Sequence, residues 1–491
     1  PELADGAHAL AWIRAERDTL VTCLDSAARA GDHAQVVQLT AAVAELLRRD
    51  GPWSDAVTRN AAAAHAARQA GDRAGEAAAR HRLGSARRLT GDHPGAIDAL
   101  IEAFGIFLAL GDRLGQADAL CSLGDVRRQL GDYPAAATVV REALAIFRAA
   151  GDQRGQAAAL AALGDIGRLT GDFPGAAAAL EQALGHFRVL GDRLGLAAVL
   201  ANLGNLRRLT GDYLGAGEML AEALGIQRAA GSQVDQAIAL RGLGVQRLLT
   251  GDLRGAAAVL AESLLISRAL GSRHGEANSL IYLGDLSRLT GDYPAAAGRL
   301  RAALRIHREL GSRQGEANAL LYLGGFLQLT GDYPAADAAL GEALGTFSDL
   351  GDLQGEAQTL NAAGELHRAR GQLGQSARCH FAALDKARAI ASPRDEAIAL
   401  AGLGRSVRAG QHGPGSLSRD GTGPAGLPGT GLAGLTGDGS AELRAAQLIL
   451  GRIGAREAAE VAAELAPPVP AAPAPLPAAL AGADRRPAVA V

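Results

Sequence analysis

Residues 116–136 read Gln116-Ala117-Asp118-Ala119-Leu120-Cys121-Ser122-Leu123-Gly124-Asp125-Val126-Arg127-Arg128-Gln129-Leu130-Gly131-Asp132-Tyr133-Pro134-Ala135-Ala136. Ala117, Leu120, Leu123 and Gly124 recur at three- and four-residue steps, the spacing of one helix face. Gly131 suits the left-handed residue that ends such a helix. Asp132 suits the N-cap of a second helix and Pro134 its first turn. Ala136, Val140, Ala143, Leu144 and Phe147 mark the inner face of that second helix, which runs to about Ala150. Two helices of roughly sixteen residues with short turns predict an αα-hairpin, the first starting near Gln116.

The hairpin recurs with a fixed period. Gly84, Gly124, Gly164, Gly204, Gly244, Gly284, Gly324, Gly364 and Gly404 lie 40 residues apart, and Leu precedes each except Gly364, which follows Ala363. Twelve residues past the first eight of these stands Ala, or Ser at 376; seven residues further stands Ala, or Ser at 263. Eight full repeats therefore occupy 71–390 without insertion. A chain of 491 residues is too long for one ordinary core and well suited to a repeat array. The expected fold is all-α, an αα-hairpin repeat solenoid. A Gly inside a helix costs about 1 kcal/mol relative to Ala, so nine copies in register need a reason. The reading adopted is steric: Gly admits the partner helix closely, and the small residues on the second helix serve the same contact.

The flanks vary this theme. Residues 1–30 hold one helix (Trp12-Ile13-Arg14-Ala15-Glu16-Arg17), and 31–70 read as a degenerate leading repeat. Residues 391–466 read as a ninth repeat and a capping helix, interrupted by a Gly-rich linker at 410–440. The Pro/Ala-rich tail at 467–491 is expected to be disordered.

These residues resemble the tetratricopeptide repeat family. The resemblance rests on Leu283-Gly284, Gly291-Asp292-Tyr293, Ala296 and Ala303 and their counterparts, and its 40-residue period is similar to the longer subclass of that family. One departure is that Arg87, Arg127, Arg207 and Arg247 stand where the family carries an aromatic residue three positions past the Gly; the apolar position shifts to Val126, Ile166, Leu206, Leu286 and Phe326. The Trp and Glu-Arg helix ahead of the repeats resembles the segment that follows the nucleotide-binding part of actinobacterial NB-ARC-type regulators. That resemblance implies the C-terminal sensing arm of a transcriptional regulator, with a nucleotide-binding domain upstream if the chain is a fragment. The rival is a free-standing adaptor or peptide receptor.

Chemistry is sparse. A P-loop needs Gly-Lys before Ser or Thr, and the single lysine, Lys386, lies between Asp385 and Ala387. Two Gly-x-Gly-x-x-Gly strings, at 421–426 and 429–434, sit in the linker and not between a strand and a helix. Three distant cysteines (Cys23, Cys121, Cys379) give neither a disulfide framework nor a zinc cluster. Eleven histidines are scattered without metal-ligand spacing, and read as helix surface and core. No catalytic, cofactor or metal site is expected. A net charge of −3 and 3% aromatic residues argue against nucleic acid. No run of 18 apolar residues and no signal-like leader occurs, so membrane contact is not expected and a cytoplasmic location is.

Function is therefore sought on the helix A face, which in the resembled family lines a concave, ligand-binding surface. One residue past the Gly stand Ser85, Asp125, Asp165, Asn205, Asp285 and Glu365; three further on stand Arg88, Arg128, Arg168, Arg208, Arg288 and Arg368. Acid and Arg at i,i+3 can pair, giving a solvated ladder worth about 0.2–0.5 kcal/mol per pair. The same stripe can bind a partner. It breaks at Val245 and Leu248 and at Gly325 and Gln328, where apolar surface appears with Tyr322 and Phe326, while Asn278, Asn318 and Asn361 offer amides to a peptide backbone. Both readings stay open. The partner expected is a protein or peptide segment held in a mixed groove.

Overall fold

The computed structural model describes residues 12–412 and 438–466. Most of the Gly-rich linker, both of its Gly-x-Gly-x-x-Gly strings and the 467–491 tail lie outside the described residues. Among the described residues all regular structure is helical. A helical turn at 12–15 leads into α1 (Arg17–Ala30), followed by α2 (His33–Asp50) and α3 (Trp53–Gln69). Eight antiparallel hairpins follow: α4 (Arg73–Thr90) with α5 (His93–Leu110), α6 (Arg113–Leu130) with α7 (Tyr133–Ala150), α8 (Gln153–Thr170) with α9 (Phe173–Leu190), and α10 (Arg193–Leu209) with α11 (Tyr213–Ala229). The array continues with α12 (Gln233–Thr250) and α13 (Leu253–Ala269), α14 (Arg273–Leu289) and α15 (Tyr293–Glu309), α16 (Arg313–Leu329) and α17 (Tyr333–Leu350), and α18 (Leu353–Ala369) and α19 (Leu373–Ala389). It ends with α20 (Pro393–His412), α21 (Ser440–Ile453) and α22 (Glu457–Leu465). The fold is an αα-hairpin solenoid of the tetratricopeptide kind.

Most of the repeat helices start at an Asp whose side chain caps them, with Ser232, Ser272, Ser312 and Gln372 in that place at the others. The Asp112 side chain accepts from the Gly115 N–H at 2.9 Å, so α6 begins at Arg113. That is one turn before Gln116, where the inner-face apolar spacing begins, because the first turn is fixed by its cap and its apolar residue, Leu114, is exposed and not part of that face. Gly131 closes α6 at φ +87°, and Asp132 caps α7. One helix, α5, is apolar and long enough to cross a membrane by length and composition, with a mean hydropathy of 1.4. Its Ala96, Leu100, Ala103 and Phe107 are buried within the array.

The helix A glycines face the partner helix at contact distance. A Cβ built on Gly204 would lie 2.8 Å from Leu220 Cγ and 3.1 Å from the Ala216 carbonyl oxygen. The residue 16 positions on fills this slot every time: Leu100, Val140, Leu180, Leu220, Leu260, Leu300, Leu340 and His380. Gly404 instead meets Leu443 and the Gly439 carbonyl, so the ninth hairpin closes across the linker with the same contact. The shifted apolar residues Val126, Ile166, Leu206, Leu286 and Phe326 are all buried. The arginines three past the Gly brace the hairpin turn. Arg87 donates to the Gly95 carbonyl at 2.9 Å, Arg247 does so to Gly255 at 3.1 Å, and Arg207 reaches the capping Asp212 at 3.3 Å.

Successive turns of the coil touch. Leu350 lies over Gly131 at 2.5 Å from the Cβ position and Ile390 over Gly171 at 2.6 Å, while Leu310 covers Gly91 and the Leu270 backbone approaches Gly51. The separation is 219 residues in all four pairs, so one superhelical turn takes about five and a half repeats. Leu350 and Ile390 are buried in the core of the second to fifth hairpins, upstream of their own. The capping helices prolong the seam: Ile453 and Pro393 meet Gly211, and the Arg456 N–H donates to the Leu249 carbonyl at 3.0 Å. At the other end Arg14 donates to the Gly231 carbonyl at 3.0 Å. The concave face is therefore the inside of a coil whose turns are stacked.

The glycine contact makes a paired prediction. Gly204→Leu will lower the melting temperature and broaden the transition, because overpacking typically costs 1–3 kcal/mol. Gly185→Ala, on α9 with open space beyond its Cβ position, will stabilise by about 1 kcal/mol through helix propensity. Thermal and urea melts check both, and a neutral Gly204→Leu would contradict the packing account.

Candidate partner-binding site

The inward faces of the A helices carry the charged stripe, and most of it is paired. Arg168 contacts Asp165 at 2.6 Å, Arg288 contacts Asp285 at 2.6 Å and Arg368 contacts Glu365 at 2.6 Å, each at i,i+3. Arg128 stands 3.9 Å from Asp125 and reaches across to Asp165 of the next hairpin at 3.0 Å. Asp165 thus bridges two guanidinium groups, and although burial opposes its charge, Arg168 and Arg128 hold its pKa below the ordinary value. The ladder is real and spans neighbouring repeats.

Arg208 breaks the ladder. Its i−3 neighbour is Asn205, and the guanidinium has no ion pair or hydrogen bond among the described residues; its buried Nε has no partner. Burial lowers its pKa from the usual arginine value. The Asn residues divide. Asn318 spends its amide on the Gln314 carbonyl at 3.0 Å, within α16. Asn361 is buried, its Nδ2 donating to the Asp395 carbonyl at 3.2 Å and its Oδ1 accepting from His380 Nδ1 at 3.1 Å. Its amide ties α18 to α19 and α20. Asn205 and Asn278 are half-buried on α10 and α14.

Two spaces open inside the coil. The larger, about 440 Å³, is a cleft across α12, α14, α16, α18 and α20. Leu248, Leu289, Leu321, Tyr322 and Leu329 form its apolar floor, and the Asp285–Arg288 and Glu365–Arg368 pairs stand at its rim. Leu329 is 53% exposed. This is where the stripe loses its charges at Leu248, Gly325 and Gln328. The smaller space, about 170 Å³, lies deeper and is lined by Arg208, Tyr213, Tyr282, Asn318 and Tyr322 with Asp352 and Asp395 opposite. Tyr282 and Tyr322 meet edge to face at 5.9 Å. The two spaces share Leu249, Tyr322, Gln358, Arg394 and Asp395. Sequence reasoning placed Tyr322 and Arg208 on the face but missed Tyr213, Arg394 and Asp395, which reach the lumen from hairpin turns and from the next turn of the coil.

Residues 75–149 and 115–188 each match the family model of the tetratricopeptide repeat. No curated protein matches by sequence. Among solved structures, a Rap protein complexed with competence and sporulation factor is 14% identical at a TM-score of 0.46, over 67% of this chain and 97% of that one. BtubC from P. vanneervenii is 18% identical at 0.32, over 55% and 96%. A signal transduction ATPase with numerous domains and a tetratricopeptide repeat sensor, from Pyrococcus horikoshii, is 14% identical at 0.41, over 72% and 53%.

Buried histidines add a pH-sensitive element. The position eight residues before the Gly at the start of an A helix is Phe107, Phe147, Phe187 and Phe347 in four hairpins, with Gly115, Gly155, Gly195 and Gly355 against the rings. His307 fills the same slot against Gly315 and meets His274 edge to face at 5.4 Å. It is fully buried with neither ring nitrogen hydrogen-bonded. Burial, aided by Arg241, lowers its pKa to about 4. The folded state therefore holds the neutral ring while the unfolded chain takes a proton near pH 6.5. Stability is full above that pH and falls as pH drops towards about 4. His307→Phe, the repeat's own residue, will raise stability at pH 7 by roughly 1–3 kcal/mol, the usual cost of orphaned buried polar groups. It will also flatten the loss between pH 6.5 and 4, as urea melts at several pH values will show.

Proposed function

We propose that this chain is a protein-interaction scaffold whose cleft over α12–α20 grips a segment of a partner protein. The observation that carries this is the cleft itself: about 440 Å³, open to solvent, apolar at its floor and ringed by paired charges, on a part of the inward face where the ion-pair ladder gives way to Leu and Tyr. Concave, mainly apolar spaces with a few convergent polar groups are the usual form of a binding site. A segment offering one or two apolar side chains to Leu289, Leu321 and Leu329, with polar flanks meeting Arg288 and Arg368, matches it. In this reading the chain acts as the sensing arm of a signal-transduction or transcriptional regulator, supported by the Trp12–Arg17 segment that resembles the region after a nucleotide-binding part. A free-standing adaptor would use the same cleft, and an immunoblot of the native host with an antibody to the repeats separates the two by size.

Peptides selected from a displayed random library against the full chain test the cleft. Binding by calorimetry will weaken at least about 10-fold, or about 1.4 kcal/mol, in Leu289→Asp and Leu329→Asp, with circular dichroism unchanged. Selected peptides that bind both variants as they bind the wild type would move the site elsewhere.

A further inference from the structure

We infer that the inner cavity beside Arg208 is a binding site for an oxyanion, a carboxylate or a phosphate group. The first reason is the unmatched cation. Four other stripe arginines contact a carboxylate (Arg128, Arg168, Arg288 and Arg368), whereas Arg208, like Arg88 near the start of the array, contacts none among the described residues, and the Arg208 Nε is buried without a partner in this cavity. A desolvated charge left unpaired is costly, and an arginine persisting there is best served by a planar oxyanion that its fork of N–H donors matches. The second reason is independent. Tyr213 is 3% exposed, and its buried hydroxyl also has no hydrogen-bond partner although it lines the same cavity. A phenol and a guanidinium without partners in one cavity supply two kinds of donor to one acceptor group.

The remaining charges of the cavity are already engaged. Arg168 is bound to Asp165, and Arg394 to Glu457 at 2.5 Å. Asp352 accepts from the Gly355 N–H at 2.9 Å and from Gln314 at 3.3 Å. Asp395 accepts from the Ser392 hydroxyl at 2.8 Å. These acids therefore do not supply the missing contact, and burial pushes both upward towards the neutral form, which reduces their repulsion of an incoming anion. The volume of about 170 Å³ admits a small anion or one acidic group, not a folded segment. Because the cavity shares Tyr322 and Arg394 with the cleft, the oxyanion has two sources: a free small molecule, or an acidic group on a segment lying in the cleft.

Calorimetric titration of the full chain with inorganic phosphate and with acetate, at ionic strength held constant with chloride, tests the site without the cleft. The wild type is expected to bind at least one of them. Arg208→Gln is expected to bind at least tenfold more weakly and, without phosphate or acetate, to melt at or above the wild-type temperature because an unpaired buried charge is gone. Tyr213→Phe, which loses only an unpartnered hydroxyl, decides the matter if Arg208→Gln does not fold: it should bind at least threefold more weakly. No binding by the wild type, or equal binding by the variants, overturns the site. With a cleft-selected peptide present, competition with the anion assigns the oxyanion to the partner segment, and simultaneous binding assigns it to a free small molecule.

Discussion

The architecture depends on one close contact, that between the helix A glycine and the side chain 16 residues further on. With Leu220 Cγ 2.8 Å from where a Gly204 Cβ would sit, α10 and α11 approach too closely for any side chain at 204 without a shift. The contact recurs in eight hairpins with Leu, Val or His in the slot, so each hairpin presents nearly the same shape to the next. Small uniform rotations accumulate into a coil, and the coil returns to itself after 219 residues. Helix propensity is given up at each glycine, and packing within and between turns offsets it.

The stacked turns determine what the inward face can do. In an open solenoid the arginine stripe would stand in water, and its pairs would be worth a few tenths of a kcal/mol each. Here Asp165 serves Arg128 and Arg168 together in a half-buried setting, and residues from α8 and α10 share a cavity with residues from α16, α18 and the turn before α20. Polar side chains that a linear repeat would keep apart are brought within reach of one another. The cleft lies in the part of the array where those charges are missing, which separates a region that holds the coil together from a region free to receive a partner.

The period, the two helices per repeat, the caps and the glycine contact were legible in the sequence because they are local and recur at a fixed step. The inward stripe was legible for the same reason, as were its breaks at Leu248 and Gln328. The arginines in the family's aromatic position gave no such guide: their role, bracing the hairpin turn through Gly95, Asp212 and Gly255, follows from chain direction at the turn. The seam was not legible, since about five and a half repeats bring a turn between the two helices of one hairpin against the end of a hairpin elsewhere, two positions that share no register. Tyr213 and Asp395 were missed because each belongs to its own repeat by sequence and to the lumen only after a full turn of the coil. Asn361 showed the reverse: it lies on the expected face, yet His380 and the Asp395 carbonyl claim its amide.

The stacking of turns is the central claim, and small-angle X-ray scattering of the full chain beside its Leu350→Asp variant tests it most directly. Leu350 closes the seam over Gly131, and a carboxylate there would face the apolar core of the second to fifth hairpins. The account predicts a compact profile for the wild type and a larger radius of gyration for the variant, with helix content by circular dichroism unchanged. An identical radius for the two, with a wild-type profile already that of an open rod, would contradict it.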